Sequence, residues 1–218
     1  MAPVASPPAP AGGEAAVKFD FKDVPESAYA KLRKEVDVGT LPEYPNSFLP
    51  LIVRPLPNSP PEKRSKAFLE DFCRRHADTI EKVLLARGVL CFRGFDVSSP
   101  QDFEDAALTL CPKLNNVYHG TSPRNMITTY VFTASELPSF FPIPQHLELS
   151  FVPNQPSRLL FWCGQDTQWG GATSLCHFGL VWQDLPEDLR AKFRKVGVKY
   201  YRNYSRAPPD TVAWYFQN

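Results

Sequence analysis

Proline is crowded toward one end of this chain, and proline both fixes φ and removes a backbone donor, so its placement limits where regular structure can form. Twelve of the 23 prolines fall in the first 61 of 218 residues. The opening run Met1-Ala2-Pro3-Val4-Ala5-Ser6-Pro7-Pro8-Ala9-Pro10-Ala11-Gly12-Gly13 offers nothing able to anchor a core and reads as a disordered leader. Residues 1–55 are therefore read as a Pro/Ala-rich leader with an extended N-terminal segment, and residues 56–218 as the folded domain. At 43% hydrophobic the chain can bury a substantial core.

Beyond the leader, start and stop signals are frequent. Ser59-Pro60-Pro61-Glu62 reads as a cap, a proline at the first helical position and an acid three after the cap. Phe68, Phe72, Ile80, Val83 and Leu84 recur at near-helical spacing until Gly88, which predicts one amphipathic helix. Val89–Phe92 follows as a short apolar strand closed by Arg93-Gly94-Phe95. The cap pattern repeats at Ser99-Pro100-Gln101-Asp102, with Phe103, Ala106, Ala107 and Leu110 on the buried face and Pro112 as the stop.

Residues 112–126 are rich in Asn, Pro, Gly and Ser and read as a loop of the kind that carries binding groups. Strands are predicted over 127–132, around His146, over 158–163, over 172–176 and over 198–204, and a helix from Asp184-Leu185-Pro186-Glu187 with Leu189 and Phe193 inward. Helices come first and strands later. The prediction is an α+β protein with an all-β sandwich or barrel at its core.

Charge and cysteine usage exclude several classes. With 24 basic and 23 acidic residues there is no footprint for nucleic acid or an anionic membrane. Five cysteines without a C-x-x-C pair favour buried thiols in a reducing compartment over disulfides or structural zinc. A secretory signal, a transit peptide and a bilayer-spanning run are all absent, so the expected location is cytoplasmic and the expected partner a small molecule or another protein.

The chemistry-bearing segment is Pro144-Gln145-His146-Leu147-Glu148-Leu149-Ser150-Phe151. On a strand, His146 and Glu148 would share a face. Two histidines and a carboxylate form the ligand set that leaves ferrous iron open on one side, and this pair supplies two of the three. His76, His119 and His177 are the other histidines, and none has a clear claim to be the third. His177 reads better as a cap on the next helix, and a lone His-x-Glu is equally compatible with a strand histidine bonded to backbone. Arg124 is either an anion-binding or a surface arginine. Tyr200, Tyr201 and Tyr204 among Lys199, Arg202 and Arg206 fit an edge strand better than a nucleic-acid surface.

Six segments occur in a telling order: Val89–Phe95, Ser122-Pro123-Arg124, Phe132-Thr133-Ala134-Ser135-Glu136, His146-Leu147-Glu148, Gly170-Gly171-Ala172-Thr173 and Leu185-Pro186-Glu187-Asp188-Leu189-Arg190. Together they resemble the TauD/TfdA superfamily, and the His-x-Glu form resembles its clavaminate synthase-like branch. The resemblance implies a double-stranded β-helix, or jelly roll, with flanking helices and Fe(II) in its mouth. It implies that His146 and Glu148 are metal ligands. It also implies that Thr173, 27 residues after His146, helps hold the distal carboxylate of the cosubstrate 2-oxoglutarate, and that dioxygen and a small organic substrate are the other reactants. Arg124 is the weaker candidate for a substrate anion.

Relatives of this kind carry the second histidine and a 2-oxoglutarate-binding arginine near the end of the barrel, beyond the matched segments. The closing Trp214-Tyr215-Phe216-Gln217-Asn218 is apolar and resembles the middle of a domain. The expectation is a jelly roll incomplete at its C-terminus, inactive in this form and prone to self-association. Two classes follow: an Fe(II)- and 2-oxoglutarate-dependent oxygenase, or a non-catalytic binding protein on the same fold. Substrate and oligomeric state are not legible.

Overall fold

A computed structural model describes residues 26–118, 120, 124–134 and 142–201. The leader, His119, Ser122, Pro123, Ser135, Glu136, Arg202, Tyr204, Arg206 and Trp214–Asn218 lie outside the described residues.

Ser65, not Ser59, starts the first long helix. Pro61–Arg64 forms a single 3₁₀ turn behind Pro60, and the Ser65 hydroxyl then accepts from Phe68 N at 3.1 Å. The predicted single helix is two: α2, Lys66–Arg75, and α3, Ala77–Arg87, divided at His76 with φ −110° and ψ 15°. The break places two successive cationic or polar side chains on one acid. Arg75 binds Glu35 through both guanidinium ends at 2.7 and 2.8 Å, and His76 Nε2 lies 2.8 Å from the same carboxylate. Gly88 ends α3 at φ +77°, as its position predicts.

Glu35 belongs to the stretch read from sequence as extended, and that stretch builds half of the core. Residues 26–55 contribute α1 (Glu26–Leu32), β1 (Val36–Gly39) and β2 (Leu51–Pro55). β1 pairs antiparallel with β2, Val38 opposite Val53. β2 pairs parallel with β3 (Leu90–Phe92), Val53 opposite Phe92, so β2 is central in a three-stranded mixed sheet. The α2–α3 pair is the crossover that a parallel pairing requires. Leu32, Val36, Val38, Leu51, Val53, Leu69, Phe72, Cys73, Ile80 and Val83 form the buried layer between sheet and helices. Complete burial of Phe72 alone is worth about 1.5–3 kcal/mol relative to exposure. Of the cysteines, Cys73 is buried, Cys163 exposed and the other three partly covered.

α4 (Pro100–Leu110) begins where the sequence places it. Ser99 and Asp102 form a reciprocal capping box, with Asp102 N donating to Ser99 Oγ and Ser99 N to Asp102 Oδ2, each at 3.1 Å. Lys66 Nζ, 2.7 Å from Asp105 and 3.2 Å from Asp102, ties α4 to α2.

The later strands expected from sequence are not formed among the described residues. Over 127–132 a single bridge joins Met126 to Phe132, and the chain turns between them with Ile127 N and Thr128 N donating to Val131 O. The buried Glu104 of α4 explains the turn: Tyr130 N donates to it at 2.7 Å and Thr128 Oγ1 also binds it, claiming a donor that a strand ladder would need. Residues 158–163 and 172–176 also lack ladders, and Phe161 is 68% exposed. Residues 158–163 are docked by side chains instead: Arg158 pairs with Glu81 at 2.5 Å, and the Trp162 indole donates to Val97 O at 3.1 Å while stacking on Phe103. Residues 198–201 are likewise not strand.

Two short helices follow. α5 (Phe178–Asp184) starts at His177, which takes the capping role expected of it, its Nδ1 accepting from Leu180 N at 3.3 Å. α6 (Glu187–Val196) starts after Pro186 as predicted and packs Phe193 on Trp182 of α5, ring centres 6.3 Å apart. The architecture is α+β. No helix among the described residues is long and apolar enough to cross a membrane.

Candidate metal site

The site grows outward from α4. Past Cys111 the chain turns at Asn115, whose side-chain oxygen accepts from Val117 N at 3.0 Å, an Asx turn that delivers Tyr118. The phenol folds back across Gly120, where an added Cβ would overlap the ring and hydroxyl of Tyr118. Arg124 lies over the ring, its guanidinium carbon 4.8 Å from the ring centre. Nη1 of Arg124 donates to Thr133 O at 3.2 Å and Nη2 to the Tyr118 hydroxyl at 3.4 Å, while its buried Nε has no acceptor among the described residues. Thr133 is fixed in turn by Asn125, N to O at 2.9 Å, at the base of the turn that Glu104 holds.

The Tyr118 hydroxyl donates to Glu148 Oε1 at 3.2 Å, linking positions 30 residues apart. Glu148 Oε2 lies 3.3 Å from His146 Nε2, and His146 Nδ1 lies 2.8 Å from Pro144 O. The strand on which this pair was expected is not there. Residues 142–147 are irregular, 148–150 form a turn, and Leu149 takes φ +54°. The two side chains meet because the turn folds them together, not because alternation puts them on one pleat. Tyr200 secures the turn from outside through Ser150 Oγ at 3.1 Å. The Glu148 side chain is 19% exposed and that of His146 57%.

The protonation pattern decides what this pair can do. A ring nitrogen 2.8 Å from a carbonyl oxygen must carry the hydrogen, so Nδ1 is the donor and Nε2 of a neutral ring presents its lone pair. That lone pair faces a carboxylate oxygen. Two acceptors at 3.3 Å require a proton or a metal cation between them. Two adjacent ligands of a six-coordinate ion, each about 2.1 Å from it, are about 3.0 Å apart, so the spacing fits a metal, and the carbonyl on Nδ1 is the usual second partner of a ligating histidine. Among the described residues no third His, Cys, Asp or Glu joins them.

The remaining histidines are engaged elsewhere or undescribed. His76 sits on Glu35, His177 caps α5, and His119 lies outside the described residues. Thr173 is exposed at the edge of a cavity of about 520 Å³ shared with Phe48, Pro50, His177 and Leu180; His146, Glu148 and Arg124 do not line it. Arg124 does join the pair, through Tyr118. Sequence reasoning did not find Tyr118: no spacing rule connects a loop tyrosine to a carboxylate that far along the chain, and only the loop's composition hinted at a binding role.

Residues 53–214 match the family model described as taurine catabolism dioxygenase TauD, TfdA family. The chain is 28% identical over 158 residues to the dapdiamide synthesis protein DdaC of Enterobacter agglomerans, covering 70% of this chain and 47% of that one. It is 29% identical over 126 residues to a clavaminate synthase-like protein of Arabidopsis thaliana, covering 56% and 38%. The chain spans less than half the length of these curated relatives.

Proposed function

Because the chain belongs to the TauD/TfdA dioxygenase family, we propose that it carries part of the site of an Fe(II)- and 2-oxoglutarate-dependent oxygenase acting on a small organic substrate. The observation that carries the reading is His146 Nε2 set against Glu148 Oε2 at 3.3 Å, with Nδ1 of the same ring held on the Pro144 carbonyl. Bound ferrous iron with 2-oxoglutarate and dioxygen would supply the oxidation of a C–H bond, chemistry that belongs to the cofactor. The chain's own residues bind and orient. His146 and Glu148 hold the metal, the Pro144 carbonyl fixes the tautomer of His146, and Arg124 sets a positive charge beside the pair for a substrate anion.

Thr173 is proposed to receive the distal carboxylate of 2-oxoglutarate. A jelly roll assembled from the later apolar segments is the fold proposed around the site. Support for both is family membership.

Anaerobic Fe(II) titration of the full chain, followed by calorimetry, tests the proposal. We expect one site, with His146→Ala and Glu148→Ala each weakening it at least about tenfold, in line with the loss of one protein ligand. Equal binding by wild type and both variants would overturn the assignment.

A further inference from the structure

Tyr118 is better connected than a loop tyrosine needs to be. Its hydroxyl accepts from Arg124 Nη2 at 3.4 Å and donates to Glu148 Oε1 at 3.2 Å. The Arg124 guanidinium lies over its ring, and its hydroxyl end lies against Gly120, the one residue type that leaves space for it there. Arg124 is itself anchored on Thr133 O, so the phenol is located by two groups, Arg124 and Gly120, that do not touch the metal pair.

We propose that Tyr118 is a positioning residue for the metal ligand Glu148, and that Arg124 and Gly120 form its seat. The inference rests on the metal-site reading above. A carboxylate has two oxygens and can swing or bind through both. A hydroxyl hydrogen on Oε1 occupies one of them and leaves Oε2, the oxygen facing His146 Nε2, as the donor presented to a cation. Arg124 sharpens this: a cation donating to the phenol oxygen polarises the O–H toward the carboxylate, and hydrogen bonds in such chains strengthen one another. Among the described residues the segment that carries Glu148 has no strand ladder; its turn is held by Tyr200 on Ser150, and the Tyr118 hydroxyl is the tether on the carboxylate itself.

The test is Co(II) binding by the full chain, read by calorimetry and by the visible absorption of the bound ion, which reports ligand geometry. Tyr118→Phe keeps the ring under Arg124 and deletes only the hydroxyl; it should lower Co(II) affinity about 10–100-fold, as loss of an outer-shell partner does, and alter the visible bands without moving the melting temperature. Gly120→Ala approaches the same point differently. Its Cβ displaces the phenol from Glu148 while the hydroxyl remains, so affinity should fall in the same direction, and it decides the matter if Tyr118→Phe does not fold. His146→Ala separates the two levels. If it abolishes binding while Tyr118→Phe binds Co(II) with wild-type affinity and spectrum, the tether is overturned and the metal site stands. If wild type binds no Co(II), or His146→Ala binds as wild type does, the metal site falls and the tether with it.

Discussion

Gly88→Ala should unseat the C-terminal helices without touching the core. Gly88 closes α3 at φ +77°, where an L side chain costs about 1–2 kcal/mol. A Cβ there would also stand 2.7 Å from Cδ2 and 3.0 Å from Nε2 of His177, so the imidazole must move. That ring caps α5, and losing a cap costs about 1 kcal/mol. The combined penalty is about 2–3 kcal/mol, and at about 2–4 °C per kcal/mol for a domain of this size the melting temperature should drop by roughly 5–10 °C. Thermal unfolding followed by circular dichroism measures it. In a His177→Ala background the same glycine substitution should cost only its backbone share, so a double-mutant cycle should return a coupling of about 1 kcal/mol. A coupling of zero, or a Gly88→Ala chain melting with wild type, would mean that α5 is not seated on the end of α3.

Two further outcomes follow from the α/β body. The Arg75 hydrogen bonds hold the Glu35 carboxyl down to about 2, with His76 assisting and burial opposing. In the unfolded chain that carboxyl protonates nearer its ordinary 4.5, so its contribution is complete above that pH and is lost as the pH falls toward 2; urea unfolding across that range should lose part of its pH slope in Glu35→Gln, and an unchanged slope would contradict the pairing. Burial pushes the Cys73 thiol up to about 12, so at pH 8 a thiol reagent should modify the exposed Cys163 rapidly and Cys73 only on unfolding, as peptide mapping would show; equal rates would refute the packing of α2.

What the sequence disclosed was governed by neighbours. Ser99 with Asp102, Gly88 and Pro186 act on backbone groups within one helical turn, so their effects are legible in a window of a few residues. Ser59 misled because two prolines followed it: Pro60 and Pro61 suit a 3₁₀ turn, and the next serine took the cap. Strands depend on partners elsewhere. Val36-Asp37-Val38-Gly39 is a four-residue element, its alternation too short to stand out, yet its two valines are buried because β2 lies beside it. Apolar Leu159-Leu160-Phe161 has strand composition but no ladder, and its backbone follows the docking of Arg158 and Trp162. His146 and Glu148 were legible as a pair because two residues apart is close in a turn as in a strand. Tyr118 was not, because nothing local marks it.

The way the site is held accounts for the unequal exposure of its two candidate ligands. A continuous series of contacts runs from buried Glu104 on α4 to the turn at Thr128–Tyr130, through Asn125 and Thr133 to Arg124, then to Tyr118 and Glu148. Glu148 is thus tied by side chains to the packed helix layer, and its carboxylate is largely covered. His146 lies one step further out, held by the carbonyl of Pro144 two residues before it and by the carboxylate it faces. A proline at 144 fixes the local backbone and leaves its carbonyl free to accept, so the ring's tautomer is set even though most of the ring is open. The carboxylate is therefore the placed member of the pair and the imidazole the adjustable one. If the pair holds a cation as proposed, His146 would be the member open to solvent and Glu148 the one already oriented.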